Sequence, residues 1–213
     1  MILTPIPRHR LGAALDRFAA QLVDPATHAA FARIRATASE RASGAAAEGN
    51  RQQALAVARH FGVPVHPSGR RSGFNWDGTA LDGDTEAYVI LHEVAHFVLA
   101  PPERRPLIDF GLGPGPDTRE RVAAEHAAVL PVIERETDEA EASLLGILWE
   151  AALGQPALAS FLDQNWLEGL ERSAAAHFTE ILARLRRRGF GDAVFAAREG
   201  ALICHAGSPS AVR

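Results

Sequence analysis

Two histidines and a glutamate interrupt an apolar stretch of this chain. Residues 88–100 read YVILHEVAHFVLA, with His92, Glu93 and His96 near the centre. On an α-helix, positions i and i+4 lie on one face about one turn apart, so both imidazoles can bind one metal ion. An unpaired carboxylate among apolar neighbours costs roughly several kcal/mol, and metal chemistry is a usual reason to retain one. The H-E-x-x-H pattern therefore predicts a metal site, with Glu93 within reach of a water on the metal.

Such a site needs a third protein ligand, and the acidic residues downstream are the candidates. Residues 134–154, ERETDEAEASLLGILWEAALG, have the pattern of an amphipathic helix with an acidic first turn, and these acids also complement the helix dipole without any metal. Glu139 is the predicted ligand, and Ser143, one turn further on, would orient a ligating histidine. Glu141 points about 200° away on the same helix and is the alternative ligand. His126 is a third possibility.

Around these motifs, the apolar periodicity predicts a mainly α fold, with an α+β fold as the alternative. Helices are expected at residues 11–23, 25–41, 51–62, 88–100, 118–130, 136–153, 157–172 and 173–188. Residues 43–50, SGAAAEGN, are expected to separate the second helix from the third, and Asp84 or Thr85 is expected to cap the helix that carries His92. Residues 63–84 are rich in Gly, Pro and Asp, which predicts a short irregular or β segment.

The whole chain, 1–213, is expected to form a single metal-binding domain, because its length suits one core of moderate size. Residues 1–62 would be a helical scaffold, residues 63–155 the metal-site core, and residues 156–213 the C-terminal helices and tail. The Pro- and Gly-rich loop at 101–118 would wall the metal site.

Charge and residue usage exclude several classes of function. All 22 basic residues are arginines, so Schiff-base chemistry on a lysine and a P-loop lysine are both excluded. The formal net charge of −4 argues against a general nucleic-acid binder. Cys204 is the single cysteine, which rules out a disulfide framework within one chain and suits a reducing cytoplasm. Neither a signal peptide nor a membrane-spanning run stands out, so we expect a cytoplasmic protein.

The motif HEVAHF at 92–97 is followed by Arg104-Arg105, by Asp109-Phe110-Gly111 and by the carboxylate helix at 139–154. These motifs and their spacing resemble the bacterial elongation factor P hydroxylase family over residues 88–155, about a third of the chain. After Gly111 the chain reads LGPGPDT, where that family has an aromatic pair.

The resemblance implies a hydroxylase that acts on a modified lysine of the translation factor, so a protein substrate, elongation factor P-like or another, is expected. It also implies a metal, thought to be iron, that is held by two histidines and one carboxylate. Position by position, these ligands would be His92, His96 and Glu139.

A narrower resemblance leads to a different chemistry. An HExxH helix followed by Glu139-x-x-Ala142 is also similar to the zincins, including compact HExxH…E peptidases and the phage-repressor-cleaving type. That resemblance implies zinc, with Glu93 as general base and Arg104 or His126 stabilising an oxyanion. One divalent ion is expected in either case, with Fe(II) favoured and Zn(II) the alternative, because N,N,O ligand sets hold both. A metal-stabilised binding protein without chemistry is the third hypothesis.

Overall fold

The computed structural model describes residues 6–69, 73–115, 118, 120–168 and 173–190, together with the backbone of 194–198 and 201–205. These residues form eight α-helices, one short 3₁₀ helix at Ile108–Gly111 and a two-stranded hairpin. The helices are α1 (Arg8–Ala20), α2 (Pro25–Arg35), α3 (Gly44–His60), α4 (Ala87–Leu99), α5 (Arg121–Ala127), α6 (Val132–Ala152), α7 (Ala157–Asp163) and α8 (Ala174–Arg187). The mainly α fold expected from the sequence is confirmed.

Helix α4 is enclosed by its neighbours because its sequence is apolar on nearly every side. It packs against both α3 and α6, and Ile90, Leu91 and Val94 are fully buried. The second half of α6, residues 141–150, is buried as well. Within the described residues, no helix combines the length and the apolar character that crossing a membrane requires.

An aromatic cluster joins helices from the two ends of the chain. The ring centroid of Phe18 on α1 lies 4.6 Å from that of Phe31 on α2 and 5.7 Å from that of Phe178 on α8. Phe161 of α7 lies 5.5 Å from both Phe18 and Phe31. Tilted and edge-on ring pairs add about 0.5–1.5 kcal/mol each beyond the area that they bury. The first and last helices therefore share one core with α4 and α6.

Two helix starts differ from the sequence prediction. The break expected at 43–50 is wrong, because the alanine-rich part of this segment forms the first two turns of α3; alanine is the strongest helix former. The cap expected at Asp84 or Thr85 is also wrong, because α4 begins after Glu86 without a side-chain cap. The carboxylate of Asp84 instead accepts a hydrogen bond from Ser68 Oγ at 2.8 Å.

Other helix bounds also shift. Helix α2 ends at Arg35 rather than at 41, and α5 covers only Arg121–Ala127. Helix α6 begins at Val132, four residues before the expected start. Helix α7 ends at Asp163, because the chain turns at Asn165, where φ is 60°; the end of that predicted helix, 169–172, lies outside the described residues.

The C-terminal tail contains a hairpin that the sequence analysis did not predict. Strand β1 (Val194–Arg198) pairs antiparallel with β2 (Ala201–His205), and Val194 stands opposite His205. Cys204 lies in β2.

The irregular β segment expected at 63–84 is present as two isolated bridges. Leu81 pairs in parallel with Val65 and antiparallel with Trp76, and its side chain is fully buried. The indole of Trp76 packs edge-on against the Phe97 ring of α4, at a centroid distance of 5.4 Å. This segment is therefore anchored to the helix that carries the two histidines.

Asp77 fixes the turn inside this segment. Its carboxylate accepts hydrogen bonds from the backbone N–H groups of Thr79 and Ala80, at 2.9 and 3.0 Å, and lies 2.6 Å from Nε2 of His66. Burial opposes ionisation, but these partners and the Thr79 hydroxyl outweigh it and hold the pKa of Asp77 well below its usual range.

Candidate metal centre

His92 and His96 of α4 meet Glu139 of α6 at one point. The two Nε2 atoms are 3.0 Å apart. Oε1 of Glu139 lies 3.1 Å from Nε2 of His92, and Oε2 lies 3.2 Å from Nε2 of His96. Among the described residues, this is the only group of three or more His, Cys, Asp or Glu side chains whose ligand atoms lie within 4.8 Å of one another. The structure thus brings together the three ligands predicted from the sequence.

The spacing of these donor atoms fits a single metal ion. An ion about 2.1 Å from each donor, a usual length for zinc bonds to nitrogen and oxygen, holds neighbouring donors about 3.0–3.4 Å apart. The donor–donor distances of 3.0, 3.1 and 3.2 Å lie within this range. Two imidazole nitrogens and one carboxylate suit Fe(II) and Zn(II) alike. The site therefore fits either ion.

Helix geometry and packing fix the two imidazoles. His92 and His96 are one turn apart on α4, with ring centroids 4.6 Å from each other. The His92 side chain is 18% exposed and that of His96 is 7% exposed. The ring of Phe110 stacks on His96 at a centroid distance of 5.5 Å and an interplanar angle of 25°. The ligands are thus held in place by their surroundings before any ion binds.

The three side chains attract one another electrostatically. Burial opposes protonation of His92, but the Glu139 carboxylate outweighs it and raises the pKa of His92 to about 9. Burial also acts to raise the pKa of Glu139, yet the two imidazoles hold it well below its usual range. The Glu139 side chain is nevertheless 52% exposed. A carboxylate that is ionised and open to solvent is ready to bind a cation.

Glu93 lies beside this cluster rather than in it. Its side chain is buried, lines the same cavity as the histidines, and accepts a hydrogen bond from Nδ2 of Asn75 at 3.4 Å. Burial raises the pKa of Glu93, although the neighbouring imidazoles of His92 and His96 act in the opposite direction. A carboxyl group with a raised pKa beside a metal cluster is suited to proton transfer.

Asp109 and Phe110 wall the cavity in a strained backbone conformation. Their φ angles are 45° and 55°, in the left-handed region that residues other than glycine rarely adopt. Trp76 holds this turn, because its carbonyl accepts the Asp109 N–H at 3.1 Å and its indole stacks on Phe110 at 5.1 Å. Burial, together with the nearby charge of Glu93, raises the pKa of Asp109 to about 7. Such strain tends to be retained at functional sites.

The cluster opens into a cavity of about 170 Å³ that is lined by α4, by α6 and by the loop residues 109–115 and 118. The loop supplies Asp109, Phe110 and Thr118 to its lining, in agreement with the wall expected at 101–118. Pockets for drug-sized ligands measure roughly 300–1,000 Å³. This smaller cavity suits one side chain or a small molecule.

Glu141, the alternative third ligand, binds α8 instead of the histidines. Its Oε1 accepts a hydrogen bond from Nε of Arg184 at 2.5 Å, and its Oε2 accepts one from Nη1 of Arg188 at 2.7 Å. The Glu141 side chain is 3% exposed, so these ion pairs occupy it fully. The alternative is therefore wrong. His126, the third possibility, is exposed on α5 and lies outside the cluster.

The role predicted for Ser143 is also wrong. Its hydroxyl donates to Oε1 of Gln164 and accepts a hydrogen bond from Nε1 of Trp166 at 2.8 Å, so it does not orient a histidine. Gln164 itself lines the metal cavity. Sequence analysis missed this glutamine because it lies 25 residues beyond Glu139 in the chain, and no local pattern marks it.

Arg104 secures the wall of the cavity rather than facing into it. Its Nη2 donates to Asp138, the neighbour of Glu139, and its Nη1 donates to the carbonyl of Phe110 at 3.3 Å. Arg104 and His126, the expected oxyanion donors, are not among the residues that line the cavity.

No protein-family model, no curated protein and no solved structure matches this chain.

Proposed function

We propose that this protein is a metal-dependent hydroxylase that holds Fe(II) with His92, His96 and Glu139 and acts on a protein side chain in the cytoplasm. The proposal depends on one observation: two imidazole nitrogens and a carboxylate converge within 3.2 Å of one another at the end of a small cavity. Two histidines and one carboxylate on one face of an iron ion leave positions free for dioxygen and substrate.

The bound ion would supply the oxidising chemistry with dioxygen, and the chain's own residues would do the rest. His92, His96 and Glu139 would hold the ion. Phe110, stacked on His96, would keep water from that side of the site. Glu93 would exchange protons with the substrate at its carboxylate oxygens, for which its raised pKa suits it.

The wall of the cavity favours a hydroxylase. The resemblance to the elongation factor P hydroxylase family includes Asp109-Phe110-Gly111, which metal binding alone does not require. Asp109 and Phe110 line the cavity beside the proposed ligands. Motif residues that meet at the site support a shared chemistry more strongly than the metal motif alone does.

A zinc hydrolase is the second candidate, and the position of Glu93 favours it. A buried carboxyl group beside the cluster is placed to act as general base for a water molecule. No arginine or exposed histidine lines the cavity to stabilise an oxyanion, among the residues that the structure describes. The oxyanion donors predicted from the sequence are therefore not in place, whereas the neutral amides of Asn75 and Gln164 do line the cavity.

Metal analysis of the protein, purified without added metal, tests both candidates. We expect iron in a ratio of about one per chain, identified by elemental analysis and by absorption at the iron edge. Fe(II)-loaded protein should also consume dioxygen in the presence of ascorbate. Zinc instead of iron, together with hydrolysis of casein without dioxygen, would establish the second candidate. Protein that binds neither metal after incubation with both would contradict the two candidates together.

A further inference from the structure

A chain of hydrogen bonds fixes the side chain of Gln164 at the metal cavity. Nε1 of Trp166 donates to Oγ of Ser143 at 2.8 Å, and Oγ of Ser143 donates to Oε1 of Gln164. Trp166 and Ser143 are both buried, at 6% and 7% exposure. The burial of both side chains restricts their movement away from Gln164.

The chemistry of the donors sets the direction of the Gln164 amide. An indole N–H only donates, so the Ser143 oxygen accepts from Trp166 and its own proton is free to go to Gln164. The atom of Gln164 that receives this proton is the carbonyl oxygen. The NH₂ group is therefore the opposite end of the amide, and within the described part of the chain Nε2 of Gln164 makes no hydrogen bond.

The backbone holds Gln164 in the same place. It is the C-cap of α7, and its N–H donates to the carbonyl of Ser160 at 3.0 Å. The next residue, Asn165, has a φ of 60°, and the N–H of Trp166 then donates to the carbonyl of Phe161 at 3.1 Å. The turn that ends α7 therefore holds Gln164 at the cavity. Because the residue is already ordered, binding a molecule there costs little further conformational entropy of the chain.

Ser143 also places the Gln164 amide close to the metal cluster. Glu139 and Ser143 are four residues apart on α6, so they share one face about one turn from each other. The amide bonded to Ser143 is therefore on the same side of α6 as Glu139, and the side chains of Gln164 and Glu139 line the same cavity.

We propose that Gln164 is the residue that binds the molecule entering beside the metal, by donating a hydrogen bond from Nε2 to an oxygen or nitrogen acceptor of that molecule. Ser143 and Trp166 are positioning residues, because their hydrogen bonds orient the Gln164 amide. The inference rests on the proposed metal site. The neutral donor selects a group with a lone pair, such as an amide carbonyl or a carboxylate, over a group that only donates hydrogen bonds.

Azide binding to the Co²⁺-loaded protein tests this role without a known substrate. Co²⁺ gives the site a visible spectrum, and azide supplies a small acceptor that binds beside the ion. We expect Gln164→Leu to weaken azide about tenfold, the effect of one hydrogen bond to a charged acceptor. Gln164→Glu keeps the shape and replaces the donor by a negative charge, so it should weaken azide further. Both variants should bind Co²⁺ as the unmodified protein does.

Two further variants separate positioning from general damage. Ser143→Ala frees the amide and should weaken azide by about threefold, while the double variant Ser143→Ala with Gln164→Leu should bind azide no more weakly than Gln164→Leu alone. Gln52→Leu changes an exposed glutamine on α3 and should leave azide binding unaltered.

The outcomes distinguish this role from the metal site itself. Unmodified protein that binds no Co²⁺ would overturn the metal site and the role of Gln164 with it. Protein that binds Co²⁺ and azide, with equal azide affinity in Gln164→Leu and Gln164→Glu, would overturn the role of Gln164 alone. Weaker Co²⁺ binding with unchanged azide affinity would make Gln164 a support for Glu139, which also contradicts the proposal.

Discussion

Gly146 of α6 lies directly against the backbone of His92 on α4. A Cβ atom on Gly146 would stand 3.3 Å from both N and Cα of His92, closer than about nine in ten Cβ contacts in proteins. The glycine therefore sets how near α6 comes to α4, and so how near Glu139 comes to the two histidines. The arrangement of the three proposed metal ligands and the packing of the helices therefore depend on the same contact.

Gly146→Ala should weaken metal binding. The added methyl group must push α4 away by a few tenths of an ångström, which separates His92 from Glu139, and overpacking of this kind costs about 1–3 kcal/mol. We expect the metal dissociation constant, measured by competition with a chelator, to rise about tenfold or more. Gly49→Ala is the matched control, because Gly49 lies exposed in α3 with nothing within 4 Å of its Cβ position. That change should raise stability by about 0.5–1 kcal/mol and leave metal affinity as it was.

His92→Ala and His96→Ala should each remove stoichiometric metal. Each substitution deletes one of three donors that lie within 3.2 Å of one another. The increase in Tm that metal gives the unmodified protein should disappear with it, because a ligand of the native state stabilises it. His126→Ala, on exposed α5, should retain the metal and the increase in Tm. One metal ion per chain in either cluster variant would contradict the ligand assignment.

Glu139→Gln and Glu141→Gln should have opposite effects on metal binding, although the two residues are only two positions apart on α6. Glu139→Gln should lose the metal, and it should also lower the stability of the metal-free protein at neutral pH, because protonated His92 loses its carboxylate partner. Glu141→Gln should keep the metal and lose about 1–3 kcal/mol, because it leaves Arg184 and Arg188 without their carboxylate. Such a loss lowers Tm by about 2–4 °C per kcal/mol in a chain of this size. Elemental analysis and thermal unfolding, applied to both variants, distinguish the two roles.

The parts of the site that the sequence predicted are local. His92 and His96 are one turn apart on a single helix, so their meeting follows from helix geometry. The acidic helix that carries Glu139 could also be recognised from its own pattern. The choice between Glu139 and Glu141, however, depends on Arg184 and Arg188, which are more than forty residues further along the chain. Only the packing of α8 on α6 settles that choice.

The remaining features depend on contacts that a local pattern does not contain. The side chain of Gln164 is held at the cavity by a hydrogen bond from Ser143, and the left-handed turn at Asp109 is held by a hydrogen bond to Trp76. The hairpin after α8 did have a sequence signal, since β1 and β2 are apolar runs two residues apart with a glycine between them.

Metal uptake at pH 7 should release about one proton. The pKa of His92 is raised from 6.5 to about 9 by Glu139, against the effect of burial, so His92 carries a proton that a metal must displace. Titration calorimetry in two buffers of different ionisation enthalpy counts the protons released. A count of zero would contradict the position of His92 in the cluster.

The same shift predicts how the stability of the metal-free protein varies with pH. Because the pKa of His92 is higher in the folded than in the unfolded protein, protonation of His92 stabilises the fold. This contribution to the free energy of unfolding is fully present below pH 6.5 and is lost as the pH rises towards 9. We expect the Tm of metal-free protein to fall across that range, and the fall to be absent in Glu139→Gln. An equal fall in both proteins would assign the effect to another group.

Glu93→Gln distinguishes the two candidate functions, because the Glu93 carboxyl group has a different role in each mechanism. A hydrolase needs Glu93 as general base, so its loss should lower casein hydrolysis by the roughly 10²–10⁴-fold that proton transfer contributes. In a hydroxylase the iron and dioxygen carry the oxidation, and Glu93 only exchanges protons nearby, so dioxygen consumption should fall about tenfold or less. We expect the smaller effect on dioxygen consumption, at unchanged metal content, and no hydrolysis of casein by either protein. Zinc-dependent hydrolysis that continues without dioxygen and is lost in Glu93→Gln would reverse the choice in favour of the hydrolase.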